Sequence, residues 1–548
     1  MSMSGAGTPP QRRTRTFQAL VLATFVLGIV LRAPTFCRPL LSDDEAIYAT
    51  TADALRRGDL LYRDVVDHKP PLIYHVYQAA FAALGNYNTQ AAHALVILSV
   101  LITAGFLFAI ASRASPHTDG AGLAAAGLFL VFSTTWHDYD ALAANCELFL
   151  LAPQTIAAWL LLRDLLKPDA PRVATHLAVG ALIGASALFK YQGLTFLGVS
   201  MGMLLWWVVL RRASWRWAAS RALCQVVGAL LPPALYLLWC AAAGNAAATI
   251  YWFKFNFSYV AAGPTGIAAL ARGLRRTALI GGSALVPYAL GLLAAGTVAA
   301  RVARAIRRRW RGEPPIDADL PAPAMTLGFL WLVTSAVAVK IGGRFFGHYF
   351  HLILPSLCLL AAPSFCRLWN KGRSPRVILT GLCALPALLF FALATVGRSV
   401  AADLDEREPP YDEVAARIAS LTTPDERIFV WGNSPQLYVL ARRSMGTRFS
   451  FCNYMTGESP GTPTETGQSN ADANQLPAAW EMLFADLERR RPTLFVDAAA
   501  AGWNGYGKYP LARYPPLRAY VDRHYRPAEI RAGVVLYRRL PERPPERP

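Results

Sequence analysis

Apolar runs of about 20 residues, broken by short polar loops, recur along the first 400 or so positions of the chain. A helix needs roughly 17 to 25 mostly apolar residues to cross a bilayer. On that criterion the pattern predicts about eleven spans, near 17–37, 91–112, 119–135, 144–163, 173–189, 192–210, 221–243, 278–300, 325–341, 348–365 and 376–396. For the pair on either side of Lys190, one long bent helix fits nearly as well. From 397 onward the runs shorten and alternate in type. Helical spacing at 411–421 and 478–490, with short apolar strands at 427–431, 493–497 and 534–538, predicts a small α/β domain. The expected layout is an N-terminal tail (1–16), a membrane part (17–396), the α/β domain (397–540) and a disordered Pro/Arg tail (541–548), with a flexible loop at 457–467. No internal repeat is visible.

Composition supports a polytopic α-helical membrane protein. Charged residues make up 16% of the chain, against about 25% in soluble domains. The net charge of +19 would suit nucleic-acid binding, but the basic residues sit in short loops between apolar runs, which is how topology is fixed in a membrane. With Arg12, Arg13 and Arg15 in the cytoplasm, the basic segments 211–221, 301–311 and 367–376 also fall inside. The first apolar run lacks an evident cleavage site and reads as a retained signal anchor in the plasma (inner) membrane. The α/β domain then lies outside the cytoplasm. So do the loop after the first span, the segments 136–147 and 251–276, the Lys190 turn and 342–348. The eight cysteines contain no Cys-x-x-Cys pair, which argues against a zinc or redox framework.

The outer loop after the first span carries the densest chemistry. Asp43, Asp44 and Glu45 stand together, followed by Tyr48, Ala52 and Leu55 at the spacing of a juxtamembrane amphipathic helix. Acids at the head of a helix are stabilised by its dipole, and Asp43 is read as a capping acid of that kind. Asp44 is read as functional, because a second motif, His68-Lys69-Pro70-Pro71-Leu72, returns in the same loop. Its prolines fix an extended entry and start another helix, leaving Lys69 and His68 as partners for a phosphate near the carboxylates. Further along the outer face stand Glu147, Lys190, Arg344 after Gly342-Gly343, and His348. An aromatic stretch from Tyr251 to Tyr259 reads as an interfacial belt, or as a wall for a lipid tail.

In these motifs the chain resembles membrane-embedded glycosyltransferases of the GT-C fold that use polyprenyl-phosphate sugars. The protein O-mannosyltransferases and bacterial lipid A aminoarabinose transferases are most similar in pattern. The resemblance rests on Asp44-Glu45, on Lys69-Pro70-Pro71-Leu72, and more weakly on 144–147, 189–193 and 344–349, in that order on the outer face. It departs at His68, where some aminoarabinose transferases carry an acid. It implies transfer of a sugar from a polyprenyl-phosphate donor to an extracytoplasmic acceptor such as a glycan, lipid or protein.

Such chemistry needs a base for the acceptor's proton and cations for the departing phosphate. Asp44 is the expected base, with Glu45 and Glu147 as further catalytic acids. Lys69, Lys190, Arg344 and His348 are the expected phosphate ligands. One carboxylate and direct displacement predict inversion at the anomeric carbon. Metal dependence is left open by these residues: a divalent metal at His68, His137 and Asp138, with Asp140, is the weaker option, and no other cofactor is indicated. The alternatives are a polytopic transporter or lipid-linked-sugar flippase, which would place charges within spans and show repeated halves, and a glycan-binding protein with an inert membrane part.

Overall fold

The structure is a computed structural model. It describes residues 10–114, 120–136, 139–166, 173–261, 263–313, 316, 319–396, 409–458, 475–476 and 478–541. The membrane part is built from α1 (Pro10–Arg32), α2 (Asp43–Arg56), α3 (Leu72–Leu84), α4 (Thr89–Ala114), α5 (Ala121–Phe132), α6 (Cys146–Leu165), α7 (Val173–Phe189) and α8 (Phe196–Val209). It continues through α9 (Trp215–Ala242), α10 (Ala246–Ala261), α11 (Gly266–Ser283), α12 (Leu285–Trp310), α13 (Pro323–Lys340), α14 (Leu354–Trp369) and α15 (Arg373–Thr395).

Among the described residues eight helical segments are long and apolar enough to cross a membrane, and α3, α5, α7 and α14 are shorter apolar helices. Exposed leucines on α9, α12 and α15, among them Leu230, Leu238, Leu293 and Leu385, give these helices an apolar outer face suited to lipid. Helices α7 and α9 approach backbone to backbone: a Cβ on Gly180 would stand 2.1 Å from the Gln225 carbonyl oxygen, and one on Gly228 2.2 Å from that of Leu177. Small residues serve helix contacts in lipid this way.

Each predicted span falls on a helix, with two differences. The span at 278–300 is divided at Ala284, where α11 ends and α12 begins. The basic segment 301–311 is largely the last turns of α12 rather than a loop. The pair around Lys190 is two helices, α7 and α8, parted by an extended Lys190 (φ −158°, ψ 137°) and a 3-10 turn over Tyr191–Thr195.

The α/β domain holds one five-stranded mixed sheet in the order β2-β1-β3-β5-β4. Strands β1 (Arg427–Trp431), β3 (Leu494–Asp497) and β5 (Val534–Arg539) match the expected runs. β1 is parallel to both β2 (Ser444–Met445) and β3, and β5 runs antiparallel to β3 and to β4 (Tyr525–Arg531). Helices α16 (Tyr411–Leu421), α17 (Gln436–Ala441), α18 (Asn453–Thr456), α19 (Ala479–Arg490) and α20 (Pro515–His524) complete it. Most of the expected flexible loop at 457–467 and of the tail at 541–548 lies outside the described residues.

The domain docks on the segment between α1 and α3. Ser444 donates to Asp53 (2.6 Å), Tyr454 to Asp67 (3.3 Å), and Arg490 to the Asp64 carbonyl (2.8 Å). The Val66 N–H donates to the Arg448 carbonyl at 3.0 Å, and Gln436 donates to Asp43.

Candidate active site

Helix α2 begins where the sequence allows a cap. Ser42 accepts from the Glu45 N–H at 3.4 Å, the Ser-x-x-Glu arrangement that satisfies free donors at a helix start. The three acids then diverge. Asp43 meets Gln436 of the α/β domain. Asp44 turns to a cavity of about 1140 Å³ between the membrane part and the α/β domain. Glu45 turns away from it, fully buried: its carboxylate accepts from the N–H groups of Leu41 and Ala144, each at 2.6 Å, and pairs with His93 at 2.9 Å. The expectation that Glu45 shares the catalytic work is therefore corrected. With every carboxylate oxygen engaged by backbone or His93, it ties the acid loop to the second outer loop and to α4.

Lys69 reaches Asp44 at 2.6 Å and lies 4.7 Å above the Tyr48 ring. The Tyr48 hydroxyl donates to the other Asp44 oxygen at 3.2 Å. Enclosure alone would raise the Asp44 carboxyl, but the charges of Lys69 and His348 outweigh it and lower it to about 2. The backbone around Lys69 is pinned from two sides. Its carbonyl accepts from Tyr62 at 2.7 Å, and Asp67 holds the His68 N–H at 2.7 Å and the Tyr74 hydroxyl at 2.6 Å. Asp67 also pairs with the His68 ring at 2.9 Å, and His68 with Lys69 holds its carboxyl well below the ordinary range despite burial. Asp67, immediately before the motif, thus positions it.

From the other side come Lys190, Arg344 and His348. The extended Lys190 projects its ammonium onto Glu147 and 4.0 Å from the centre of the Tyr349 ring. Glu147 is buried and does not line the cavity, so it stands behind Lys190 rather than facing a reactant. This differs from its expected place among the catalytic acids. Arg344 lines the cavity next to Gly342. The glycine pair serves backbone packing: a Cβ on Gly343 (φ +63°) would meet the Pro264 carbonyl oxygen at 2.0 Å. Phe345 takes the left-handed conformation at φ 51°, a strain of order 1 kcal/mol or more for a non-glycine residue. Its ring fills the space beside Gly273. His348 pairs with Asp140 at 2.9 Å and approaches Glu147 at 3.9 Å. Burial lowers its pKa and the two carboxylates raise it by more, so it stands above the usual histidine value. His351 steadies it by donating to the His348 carbonyl at 3.2 Å while accepting from Trp136 at 2.8 Å.

The aromatic stretch is helix α10, not simply a belt. Tyr251, Phe253, Phe255 and Phe257 line the cavity with Val260 and Ile341, and Trp252 turns inward to donate to the Tyr62 carbonyl at 3.1 Å. Of the metal candidates, His137 and Asp138 lie outside the described residues. His68 is engaged by Asp67 and Asp140 by His348. Among the described residues no three His, Cys, Asp or Glu side chains are grouped to hold a metal ion. The chain thus brings Asp44 together with Lys69, Lys190, Arg344 and His348 around a cavity with an aromatic wall.

No family model and no curated protein sequence matches the chain. Solved structures do match it. One is ArnT from Cupriavidus metallidurans bound to undecaprenyl phosphate, with a TM-score of 0.60 at 16% identity over 96% of this chain and 98% of that one. The same ArnT in its apo state gives 0.56 at 17% identity, again over 96% and 98% of the two chains. The Archaeoglobus fulgidus oligosaccharyltransferase in its apo form gives 0.52 at 11% identity, over 95% of this chain and 74% of that one. The chain therefore has the GT-C fold, a multi-pass helical membrane part followed by an α/β domain.

Proposed function

We propose that the protein is a membrane glycosyltransferase that moves a sugar from a polyprenyl-phosphate donor to a hydroxyl acceptor outside the cytoplasm. The observation that carries this reading is the meeting of Asp44 with Lys69, Lys190, Arg344 and His348 in one cavity whose far wall is apolar and aromatic. A lipid phosphate has both halves of that chemistry. Its anion suits charge-assisted donors, and its tail suits the α10 side chains. The fold shared with an ArnT that was crystallised with undecaprenyl phosphate supports the same donor class.

In the reaction, Asp44 takes the acceptor's proton as the acceptor oxygen bonds to the anomeric carbon. The bond from that carbon to the phosphate oxygen breaks, and its electrons leave on a phosphate held by the cations. A single displacement inverts the anomeric centre. In the unliganded protein Lys69 occupies Asp44 and depresses its basicity. A donor phosphate competes for Lys69 and restores the carboxylate as a base. The N-terminus faces the cytoplasm and the α/β domain the periplasmic side of the plasma (inner) membrane.

The test is Asp44→Asn in membranes supplied with a polyprenyl-phosphate sugar and an acceptor. Loss of a general base costs on the order of 100-fold or more, read as release of polyprenyl phosphate. Transfer at the parental rate would remove Asp44 from the mechanism. Wild-type membranes that only move intact lipid across the bilayer would favour a transporter instead.

A further inference from the structure

The charges lining the cavity are divided between its two walls. All the lysine, arginine and histidine side chains among its described lining residues come from the membrane part. The α/β domain contributes Asn433, Phe451, Asn453, Tyr454, Glu458 and Gln475, with Gly457 and Leu476, and no cation. This is notable in a domain with many arginines on its other faces, among them Arg417, Arg442, Arg448, Arg490, Arg518 and Arg531. Among the described residues the one carboxylate on this wall is balanced: Lys508 pairs with Glu458 at 3.1 Å, and Tyr509 donates to it. The wall therefore presents the amides of Asn433, Gln475 and Asn453, the last with its Oδ1 accepting from Tyr506, beside aromatic rings.

We infer that this wall is the acceptor subsite and that it takes an uncharged polyhydroxyl compound, a neutral glycan, rather than a phosphorylated or otherwise anionic acceptor. The inference rests on the glycosyltransferase reading above and narrows its acceptor. Sugar hydroxyls donate and accept as side-chain amides do, and the apolar C–H face of a sugar ring suits an aromatic side chain such as Phe451. An anionic acceptor would meet no compensating charge on this wall and would instead compete with the donor phosphate for the cations opposite. An extended peptide acceptor has no strand edge to join here, although strand addition is a common way of holding one. None of the five strands contributes a lining residue, and the edge strand β2 is already engaged through Ser444 by Asp53.

The experiment uses the full chain in lipid nanodiscs and reads two ligands separately. Undecaprenyl phosphate reports on the cationic wall. A panel of neutral methyl glycosides and short neutral oligosaccharides, with their 6-phosphates and a Ser/Thr-containing peptide, reports on the α/β wall by saturation-transfer NMR. Neutral glycosides are expected to bind while their 6-phosphates and the peptide do not. Asn433→Arg places a cation on a half-buried position of this wall. It should weaken neutral-glycoside binding by about tenfold and admit the 6-phosphates, with undecaprenyl phosphate affinity unchanged. Arg531→Gln, on another face of the α/β domain where Arg531 pairs with Glu413, should leave neutral binding intact. Preference for the 6-phosphates or the peptide by the wild type, or indifference of glycoside binding to Asn433→Arg, overturns the inference. Undecaprenyl phosphate binding without any glycoside binding overturns it too, while leaving the donor reading standing. Failure of undecaprenyl phosphate to bind removes the donor reading itself.

Discussion

The acids at the head of α2 are consecutive in sequence and separate in role, because each helical step turns the next side chain by about 100°. Asp44 reaches the cavity and Glu45 the interior. Sequence reading could place the cluster but not its facing, since the register of α2 is fixed by the Ser42 cap and by what Glu45 grips. Glu45→Gln replaces one accepting oxygen with a donor among groups that need an acceptor. It should destabilise the protein by about 1–3 kcal/mol, measured as a lowered unfolding temperature in detergent, whereas Asp44→Asn acts mainly on turnover. The pH response also divides by residue. Asp44 titrates near 2, below its ordinary 3.8, so its ion pair stabilises the fold above that ordinary value and is lost only as pH falls toward 2. His348 titrates above its ordinary 6.5, so its contribution is complete below that value and disappears as pH rises through the raised one. A polyprenyl-phosphate sugar is a phosphodiester of constant charge, so its KM should rise on this alkaline limb. His348→Gln should flatten that limb. A KM profile unaltered by the substitution would remove His348 from phosphate binding.

At the scale of elements, the site is made by interruptions. The break between α7 and α8 delivers Lys190, the turn after α13 delivers Arg344, and the prolines before α3 deliver Lys69. Continuous apolar runs made the helices themselves legible, but a break such as the one at Ala284 is marked only by Gly281-Gly282-Ser283 and Pro287 inside one apolar run, which a criterion of span length reads through. Strand β4 escaped notice for the opposite reason. As an edge strand it is largely exposed and carries charge and Pro527, features that protect an edge but disguise a strand. Gly342-Gly343 permits a close approach beside Arg344, and Gly343 uses it against the Pro264 backbone. Gly343→Ala should cost more than about 1 kcal/mol and raise donor KM by displacing Arg344. Wild-type values for both would show the turn to be tolerant. Glu147→Ala leaves the buried Lys190 unpaired and Lys190→Ala the buried Glu147, so each should destabilise by about 3–5 kcal/mol; thermal unfolding reads that loss, and lipid titration should show the larger loss of phosphate binding for Lys190→Ala.

For the whole molecule, the α/β domain and the acid loop form one structure around the cavity. Ser444, Tyr454 and Arg490 hold the loop at Asp53, Asp67 and the Asp64 carbonyl. The sequence predicted a separate outer domain; these contacts join residues 387 to 426 positions apart, and no local pattern announces them. Arg490→Ala should loosen residues 59–66, seen as faster amide exchange there than in α4. Unchanged exchange would mean that the dock does not depend on this residue. The most direct test of the central claim is a structure of the protein with undecaprenyl phosphate. The phosphate should lie within hydrogen-bonding distance of Lys69, Lys190 and Arg344, with Asp44 released from Lys69 and the tail along α10. A phosphate held elsewhere, with the Asp44–Lys69 pair intact, would contradict it.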